Sequence, residues 1–258
     1  MTSANLRMHQ PEASVARPAV IFTPDLVDTG RGKTEREYSV RANYADAIIE
    51  AGGSALIIPL DERQLKAVLE LADGVVISGS GPGECVAPER IAFERNLIEY
   101  ALKAGKPMLG ICHGMQVIGE HLGGRIVRDL PQLSGEITPH IPRTVPDRLA
   151  HHIDVAPDSL ISEWSDGTRV RVNSLHRHTL TGQGRFRIAA RADDGIIEAI
   201  EGIEGAFCLG VQWHPEYQLT DLDRNIMRAF VAACRKSAAQ RAGARMIEAP
   251  AVRSTGEC

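Results

Sequence analysis

The sequence predicts an α/β fold: a three-layer sandwich with a mostly parallel central sheet and an antiparallel extension. Three observations carry this expectation. Short, continuously apolar stretches alternate with helical-period stretches over the first half of the chain. Strands covered on both faces by helices read that way, because neither face meets water. After Gly124 the pattern changes to short, partly alternating runs separated by turn residues, as antiparallel strands do. Between the two regimes, Gly110-Ile111-Cys112-His113-Gly114 reads as a strand turning sharply into a helix.

The elements follow in order. Residues 1–17, "MTSANLRMHQPEASVAR", have no apolar core and read as a loose tail rather than a secretory signal. "AVIFT" (19–23) is a buried strand. "SVRANYADAIIEAGG" follows, with Val40, Tyr44, Ala47, Ile48 and Ala51 at helical spacing, Ser39 as its N-cap and Gly52 as its stop. "ALIIPL" is a second strand and "DERQLKAVLELADG" a second helix. "VVISGSGPGE" is a third strand entering a glycine-rich turn. "PERIAFERNLIEYALKAGK" is a helix, "PMLGI" a strand, and a fourth helix carries Met115, Ile118 and Leu122 on one face.

From Arg125 to Trp213, "HHIDV", "TRVRVNS", "FRIAARA", "GIIEAIEG" and "FCLGVQW" suggest the antiparallel extension. A last helix starts near Thr220, where Thr220 and Asp223 form a capping pair. Leu222, Ile226, Ala229, Phe230 and Ala233 give that helix one apolar face. Residues 237–258 lose periodicity and read as a C-terminal tail. The expectation is one domain over 18–236 with a tail at each end.

Composition excludes some functions. The 258 residues are 43% hydrophobic and 24% charged, with a formal net charge of -4. A nucleic-acid surface needs a clustered basic face, and here acids are interspersed among the arginines. No apolar run is long enough to span a membrane. The five cysteines (Cys85, Cys112, Cys208, Cys234, Cys258) are odd in number, widely spaced and lack a CxxC. They form neither a disulfide framework nor a zinc-thiolate site, and a reducing cytoplasm fits them.

Cys112 is the exception among them. A nucleophile held at a strand-to-helix turn sits in a strained backbone, and its flanking residues must be small because a Cβ there would clash. At the helix N-terminus the peptide dipoles favour a thiolate. The N–H of His113, the next residue, points where an oxyanion would form. The competing reading is a packing cysteine beside a glycine turn, which is the reading given to Cys85, Cys208 and Cys234. A thiol that attacks an amide needs a base, and the base needs an orienting group. "GVQWHPEY" supplies both. His214 follows a strand, Pro215 fixes the turn, and Glu216 can hold the imidazole with its other nitrogen toward the thiol.

"LGICHGMQ" together with "GVQWHPE" resembles the class I glutamine amidotransferase superfamily over roughly 18–236. The resemblance implies a flavodoxin-like sheet, with Cys112 as nucleophile, His214 as base and Glu216 as orienter. It also implies substrate contact by Gln116, and a second oxyanion N–H from the "SGSGPG" turn at Gly79 or Ser80. That turn could instead cradle a phosphate, but no Lys-Ser/Thr pair follows it.

"GGRIVRDLPQ", "VRVNSLHRHTL" and "DDGIIEAIEG" resemble the γ-glutamyl hydrolase branch, peptidase family C26, and within it the bacterial γ-glutamyl-γ-aminobutyrate hydrolases. The resemblance implies that Asn173, Ser174, Leu175 and His176 line a glutamyl site. It implies no cofactor and a small-molecule γ-glutamyl amide as partner, with neither nucleic acid nor membrane, and leaves a homodimer open. His176-Arg177-His178 replaces the His-His-Gln of that group, which puts the identity of the amine in question. An Arg177 directed into the pocket would favour a carboxylate-bearing leaving group such as γ-aminobutyrate. The other functional readings are a glutaminase subunit feeding ammonia to a synthase and a non-catalytic relative.

His151-His152 and His176-x-His178 raise a metal site, since residues i and i+2 on a strand share a face. A third ligand is missing from the pattern, and the expectation is pocket-rim or surface histidines with no metal.

Overall fold

A computed structural model describes residues 16–31, 35–81, 86–128, 130, 140, 147–203 and 205–248. In chain order the elements are β1 (Ala19–Phe22), β2 (Asp25–Asp28), β3 (Arg36–Ser39), α1 (Ala42–Glu50), β4 (Ser54–Ile57), α2 (Leu65–Leu71) and β5 (Gly74–Ile77). There follow α3 (Pro88–Lys103), β6 (Met108–Ile111), α4 (His113–His121), β7 (Arg125–Val127), β8 (His151–Val155) and β9 (Arg169–Val172). The last are β10 (Thr179–Thr181), β11 (Phe186–Ala192), β12 (Ile197–Gly202), β13 (Cys208–Val211) and α5 (Asp221–Glu248).

The central sheet has the order β4-β1-β5-β6-β13-β12-β11-β8-β9. β4, β1, β5, β6 and β13 run parallel. The rest of the sheet is antiparallel. The fold class is therefore as expected, with one change in detail. The sequence pattern groups "FCLGVQW" with the antiparallel extension, but β13 lies parallel beside β6, in the register Ile111↔Val211. Cys112 and His214 thus leave adjacent strands at the same carboxyl edge of the sheet, where open α/β folds build their sites.

The continuous apolar strands are explained by what covers them. Val20, Phe22, Leu109, Ile111 and Val211 face one core, closed by Tyr44 and Ile48 of α1 and Leu222, Ile226 and Phe230 of α5. Ile21, Val75, Ile77 and Met108 face the other, closed by Leu65 and Leu69 of α2, Phe93 and Leu97 of α3, and Met115 and Ile118 of α4. In β1, β5, β6 and β13 successive residues alternate between two buried layers, so no polar position is left, whereas β4, at the sheet edge, leaves Leu56 and Ile57 exposed. Each fully buried Leu, Ile or Phe contributes roughly 1.5–3 kcal/mol.

The ends of elements hold two differences from the sequence reading. Ser39 does not cap α1. It ends β3, which pairs with β2 in an exposed two-stranded ribbon, and α1 starts at Ala42 after an uncapped Arg41. The ribbon is exposed and carries no apolar periodicity, so nothing in the sequence marks it. At the other end, α5 runs on to Glu248, into the segment that reads as a tail. Arg241 holds it down, donating to the carbonyls of Glu70 (3.1 Å) and Ala72 (2.7 Å) and pairing with Asp73. The helix starts as expected. The Thr220 N–H donates to Asp223 Oδ2 (2.9 Å) and the Asp223 N–H to Thr220 Oγ (3.2 Å).

Candidate active site

The turn at Cys112 is tight for a reason visible in its neighbours. Cys112 has φ 53° and ψ -105°, a conformation that non-glycine residues rarely adopt. A Cβ on Gly114 would lie 2.0 Å from the Ile77 carbonyl oxygen, and one on Gly110 would lie 2.7 Å from the Gly114 carbonyl. Both positions meet backbone, with the end of the Ile118 side chain also 2.6 Å from the Gly110 position, so the two glycines are what allow α4 to start directly over β5 and β6. The Cys112 N–H donates to the Val211 carbonyl (2.8 Å), which fixes the turn to the parallel partner strand. Cys112 is 6% exposed and opens onto a cavity.

His214 follows β13 in a loop that Asn173 clasps from both sides. The Asn173 amide donates to the His214 carbonyl (3.0 Å), and its Oδ1 accepts the His214 N–H (2.9 Å). Nδ1 of His214 lies 2.7 Å from Glu216 Oε1, and both side chains are buried. The other ring nitrogen, Nε2, is buried and without a hydrogen bond among the described residues. Burial alone would lower the imidazole pKa, but the negative charges of Glu216 and Cys112 outweigh it and raise the group to about 10. A charged imidazolium beside a cysteine sulfur is an arrangement that suits a cysteine nucleophile.

The glycine turn reaches the same place. A Cβ on Gly79 would lie 2.7 Å from Tyr44 Oη, 3.2 Å from His214 Cε1 and 3.6 Å from Cys112 Cβ, so this position must be bare for the three groups to meet. The Gly79 N–H is committed to Tyr44 Oη (2.9 Å). Of the two residues expected to supply the second oxyanion donor, Ser80 is the one that lines the cavity. His113 opens α4, where the first N–H groups of a helix have no internal partner. Residues 82–85, the rest of the turn, lie outside the described residues, as does Cys258.

Two residues of α3 hold this turn in place, and the sequence does not point to them. Arg90, fully buried, donates to the carbonyl of Ser78 (2.8 Å) and to Glu94 Oε1 (2.8 Å), and pairs with Asp25. Glu94, also fully buried, accepts from Thr23 Oγ (2.7 Å) and lies 2.7 Å from His113 Nε2. Burial would raise the Glu94 carboxyl, but Arg90 and His113 hold it down at about 2. An Arg-Glu pair four residues apart looks like a solvated helix surface pair, which is why the sequence does not distinguish it. Gln212 is the third unanticipated neighbour, donating to Cys112 Sγ at 3.6 Å.

The cavity of about 420 Å³ is lined by Ser80, Cys112, His113, Gln116, Leu175 and Arg177, with Arg128 and His178 at its wall. The expected substrate residues divide here. Leu175 lines the cavity, and its carbonyl lies 3.8 Å from Cys112 Sγ. Gln116 lines it with its amide group donating to the His178 carbonyl (2.9 Å) and Gln212 Oε1 (3.1 Å). Asn173 and Ser174 are buried behind the wall, Asn173 on the His214 backbone and Ser174 on the His140 carbonyl (2.9 Å). Cys208 and Cys234 are buried thiols, pushed up by that burial to about 11 and about 12.

His176 touches the cavity but its ring meets unexpected partners. Residues 173–178 are not a strand, so the i, i+2 argument for a shared His176–His178 site does not apply. His176 instead converges with His140, His151 and Glu198 in a buried group.

The elbow cysteine and the buried His-Glu pair sit within the span that the family model for peptidase C26 matches, residues 25–216. The chain belongs to the peptidase C26 family. Relatives of this C26 chain include a γ-glutamyl-γ-aminobutyrate hydrolase of Escherichia coli O157:H7, 30% identical over 82% of this chain and 92% of that protein. A candidate glutamine amidotransferase-like protein of Lactococcus lactis is 34% identical over 74% of this chain and 86% of its own. One of Rickettsia prowazekii is 29% identical over 84% and 98%. A solved structure from Thermoplasma acidophilum, of a candidate GMP synthase subunit, superposes with a TM-score of 0.60 at 22% identity, over 90% of this chain and 98% of that one. The C26 chain shares its glutamine amidotransferase fold.

Proposed function

We propose that this C26 protein is a cysteine hydrolase that cleaves the γ-glutamyl amide bond of a γ-glutamylated amine, releasing glutamate and the free amine, within cytoplasmic amine breakdown. One observation carries the reading: a cysteine strained at a strand-to-helix turn beside a buried imidazole, itself held by a carboxylate at 2.7 Å. The Cys112 thiolate attacks the γ-carbonyl. The oxyanion that forms is met by the N–H groups of His113 and Ser80, and His214 protonates the leaving amine. The same imidazole, now neutral, takes a proton from water, which attacks the thioester and frees glutamate. Glu216 keeps Nδ1 occupied, so Nε2 faces the chemistry.

The cavity wall bears on the amine. Arg177 and Arg128 are exposed and line it, while Arg95, also at the wall, is tied to Glu120 at 2.8 Å. Two such guanidinium groups favour a leaving group that carries its own carboxylate. Glutamate release by the purified chain tests this with γ-glutamyl-γ-aminobutyrate, γ-glutamylanilide, a γ-glutamyl alkanolamine and glutamine as substrates. The carboxylate-bearing amide is expected to be the best substrate. Arg177→Ala should lower its kcat/KM about tenfold, the order of one exposed charge-assisted contact, and leave the anilide unchanged. Turnover of glutamine alone, rising on addition of a synthase, would replace this reading with a glutaminase that serves a synthase partner.

A further inference from the structure

Behind the catalytic wall, four side chains from distant parts of the chain point at one another. His140 comes from the segment before β8, His151 from β8, His176 from the loop after β9, and Glu198 from β12. All four are buried, none more than 5% exposed. Glu198 Oε1 lies 3.4 Å from His140 Nδ1, 3.6 Å from His151 Nε2 and 3.4 Å from His176 Nε2. The four candidate ligand atoms lie within 4.8 Å of one another. These separations are long for hydrogen bonds, and none of the four atoms has a hydrogen-bond partner among the described residues. The three distances from Glu198 suit the edges of a tetrahedron. Ligand atoms about 2.0–2.1 Å from a central ion are roughly 3.3–3.4 Å apart.

The outer nitrogens decide what the inner ones are. His140 Nε2 lies 2.9 Å from Asp194 Oδ2, His151 Nδ1 lies 3.1 Å from the His152 carbonyl, and His176 Nδ1 lies 3.1 Å from the His178 carbonyl. Carbonyl and carboxylate oxygens only accept, so each outer nitrogen carries the N–H. A neutral imidazole with its proton outside presents a lone pair inside. Three inward ring nitrogens and a carboxylate oxygen therefore share one buried point with no hydrogen-bond partner among the described residues, an arrangement that suits a cation at the centre. The paired outer N–H is the second layer that metal-bound histidines have.

We propose that His140, His151, His176 and Glu198 form a binding site for one divalent transition metal ion, of which Zn²⁺ best matches a tetrahedral set of three imidazole nitrogens and one carboxylate oxygen. Four protein ligands and full burial leave no open position for water or substrate, so the ion is structural. Its charge balances Glu198 within the site and Asp194 behind it. What it fastens is the segment 173–178. The carbonyl of His140 accepts from both the His176 N–H (3.0 Å) and Ser174 Oγ (2.9 Å). The same segment clasps His214 through Asn173 and sets Leu175 against Cys112. The ion thereby ties the antiparallel half of the sheet to the wall of the cavity. The sequence pattern lacks the third ligand, and with it the metal, because His140 and Glu198 sit in no recognisable spacing with His176.

The site stands apart from the hydrolase reading, and its test keeps the two separate. The full chain, expressed with Zn²⁺ present, is assayed by elemental analysis, and stripped protein is titrated with Co²⁺ and with Zn²⁺. The expected result is about one zinc per chain, visible tetrahedral d–d absorption on Co²⁺ addition, and a Tm of stripped protein that rises with Zn²⁺. Glu198→Gln should lose the metal. Asp194→Asn, which leaves all four ligands in place, should weaken it about 10–100-fold. Cys112→Ala should retain it fully. Metal-free protein showing neither cobalt absorption nor a Zn²⁺-dependent Tm would overturn the proposal, as would metal bound equally by Glu198→Gln.

Discussion

In the proposed mechanism Cys112, His214 and Glu216 act as a unit, because each removes a freedom from the next. The backbone strain at Cys112 sets where sulfur sits, and the 2.7 Å contact to Glu216 sets which way the imidazole turns. The charge state follows. His214 is raised to about 10, so the imidazolium persists through neutral pH and is lost as pH rises through about 10. The activity expected is a plateau from neutrality to about pH 9 with an alkaline fall near 10. Glu216→Gln removes the largest charge that raises the imidazole. It should move that fall toward acid and lower kcat by about 10²–10⁴, as the loss of an orienting carboxylate does. The pH profile of kcat/KM for both proteins checks this, and an unmoved alkaline limb would show that Glu216 does not set the His214 charge. At this scale the sequence was informative where a motif was short and local. Cys112 with its glycines and His214 with Glu216 are each within five residues. Tyr44 and Gln212 were not legible because their partners lie far along the chain, and Arg90 and Glu94 because a pair four residues apart on a helix reads as an ordinary surface pair.

The element that matters most is the turn from β6 into α4. Both of its glycines meet backbone, so a rotamer change alone, even of the Ile118 end that also crowds Gly110, relieves neither position. Gly114→Ala is expected to cost about 3 kcal/mol or more, read as a lower urea midpoint, with activity reduced in whatever folds. A variant of native stability and full activity would mean that the turn has room the close approach to Ile77 denies. The alternation of strands and helices told the same story from sequence, since the buried strands are apolar on both faces. What stayed hidden at this scale were elements with no hydrophobic period. The β2–β3 ribbon is largely exposed, and among the described side chains α5 beyond Cys234 is held by polar contacts from Arg241.

Across the whole molecule, the parallel placement of β13 beside β6 brings two sequence-distant motifs to one sheet edge, and α3 braces them from the side. That brace is electrostatic and buried, so it gives the fold a pH signature. Glu94 is held down at about 2 against an ordinary 4.5. A depressed carboxyl contributes stability above its unfolded pKa and loses it as pH falls toward the folded one, so the window is about pH 5 to 2. Wild-type protein should lose stability across that window. Glu94→Gln should be less stable at pH 7 by about 3 kcal/mol, since it leaves Arg90 buried with fewer partners, and should show a shallower acid slope. Urea unfolding at pH 7 and pH 4 reads both, and a variant with the wild-type acid slope would remove Glu94 from this role. The sequence could predict the sheet but not this brace, nor the meeting of His140 with Glu198. Both depend on tertiary closure between segments with no spacing in common.

The proposed chemistry is open to direct inspection through the covalent intermediate it requires. Purified protein would be mixed with γ-glutamyl-γ-aminobutyrate, quenched in acid at short times, digested and analysed by mass spectrometry. The expected result is a γ-glutamyl group on the peptide containing Cys112, which forms ahead of glutamate release, decays with turnover, and is absent from Cys112→Ala together with all activity. Glutamate release without any adduct, retained in Cys112→Ala, would contradict a Cys112 thioester and with it the proposed mechanism.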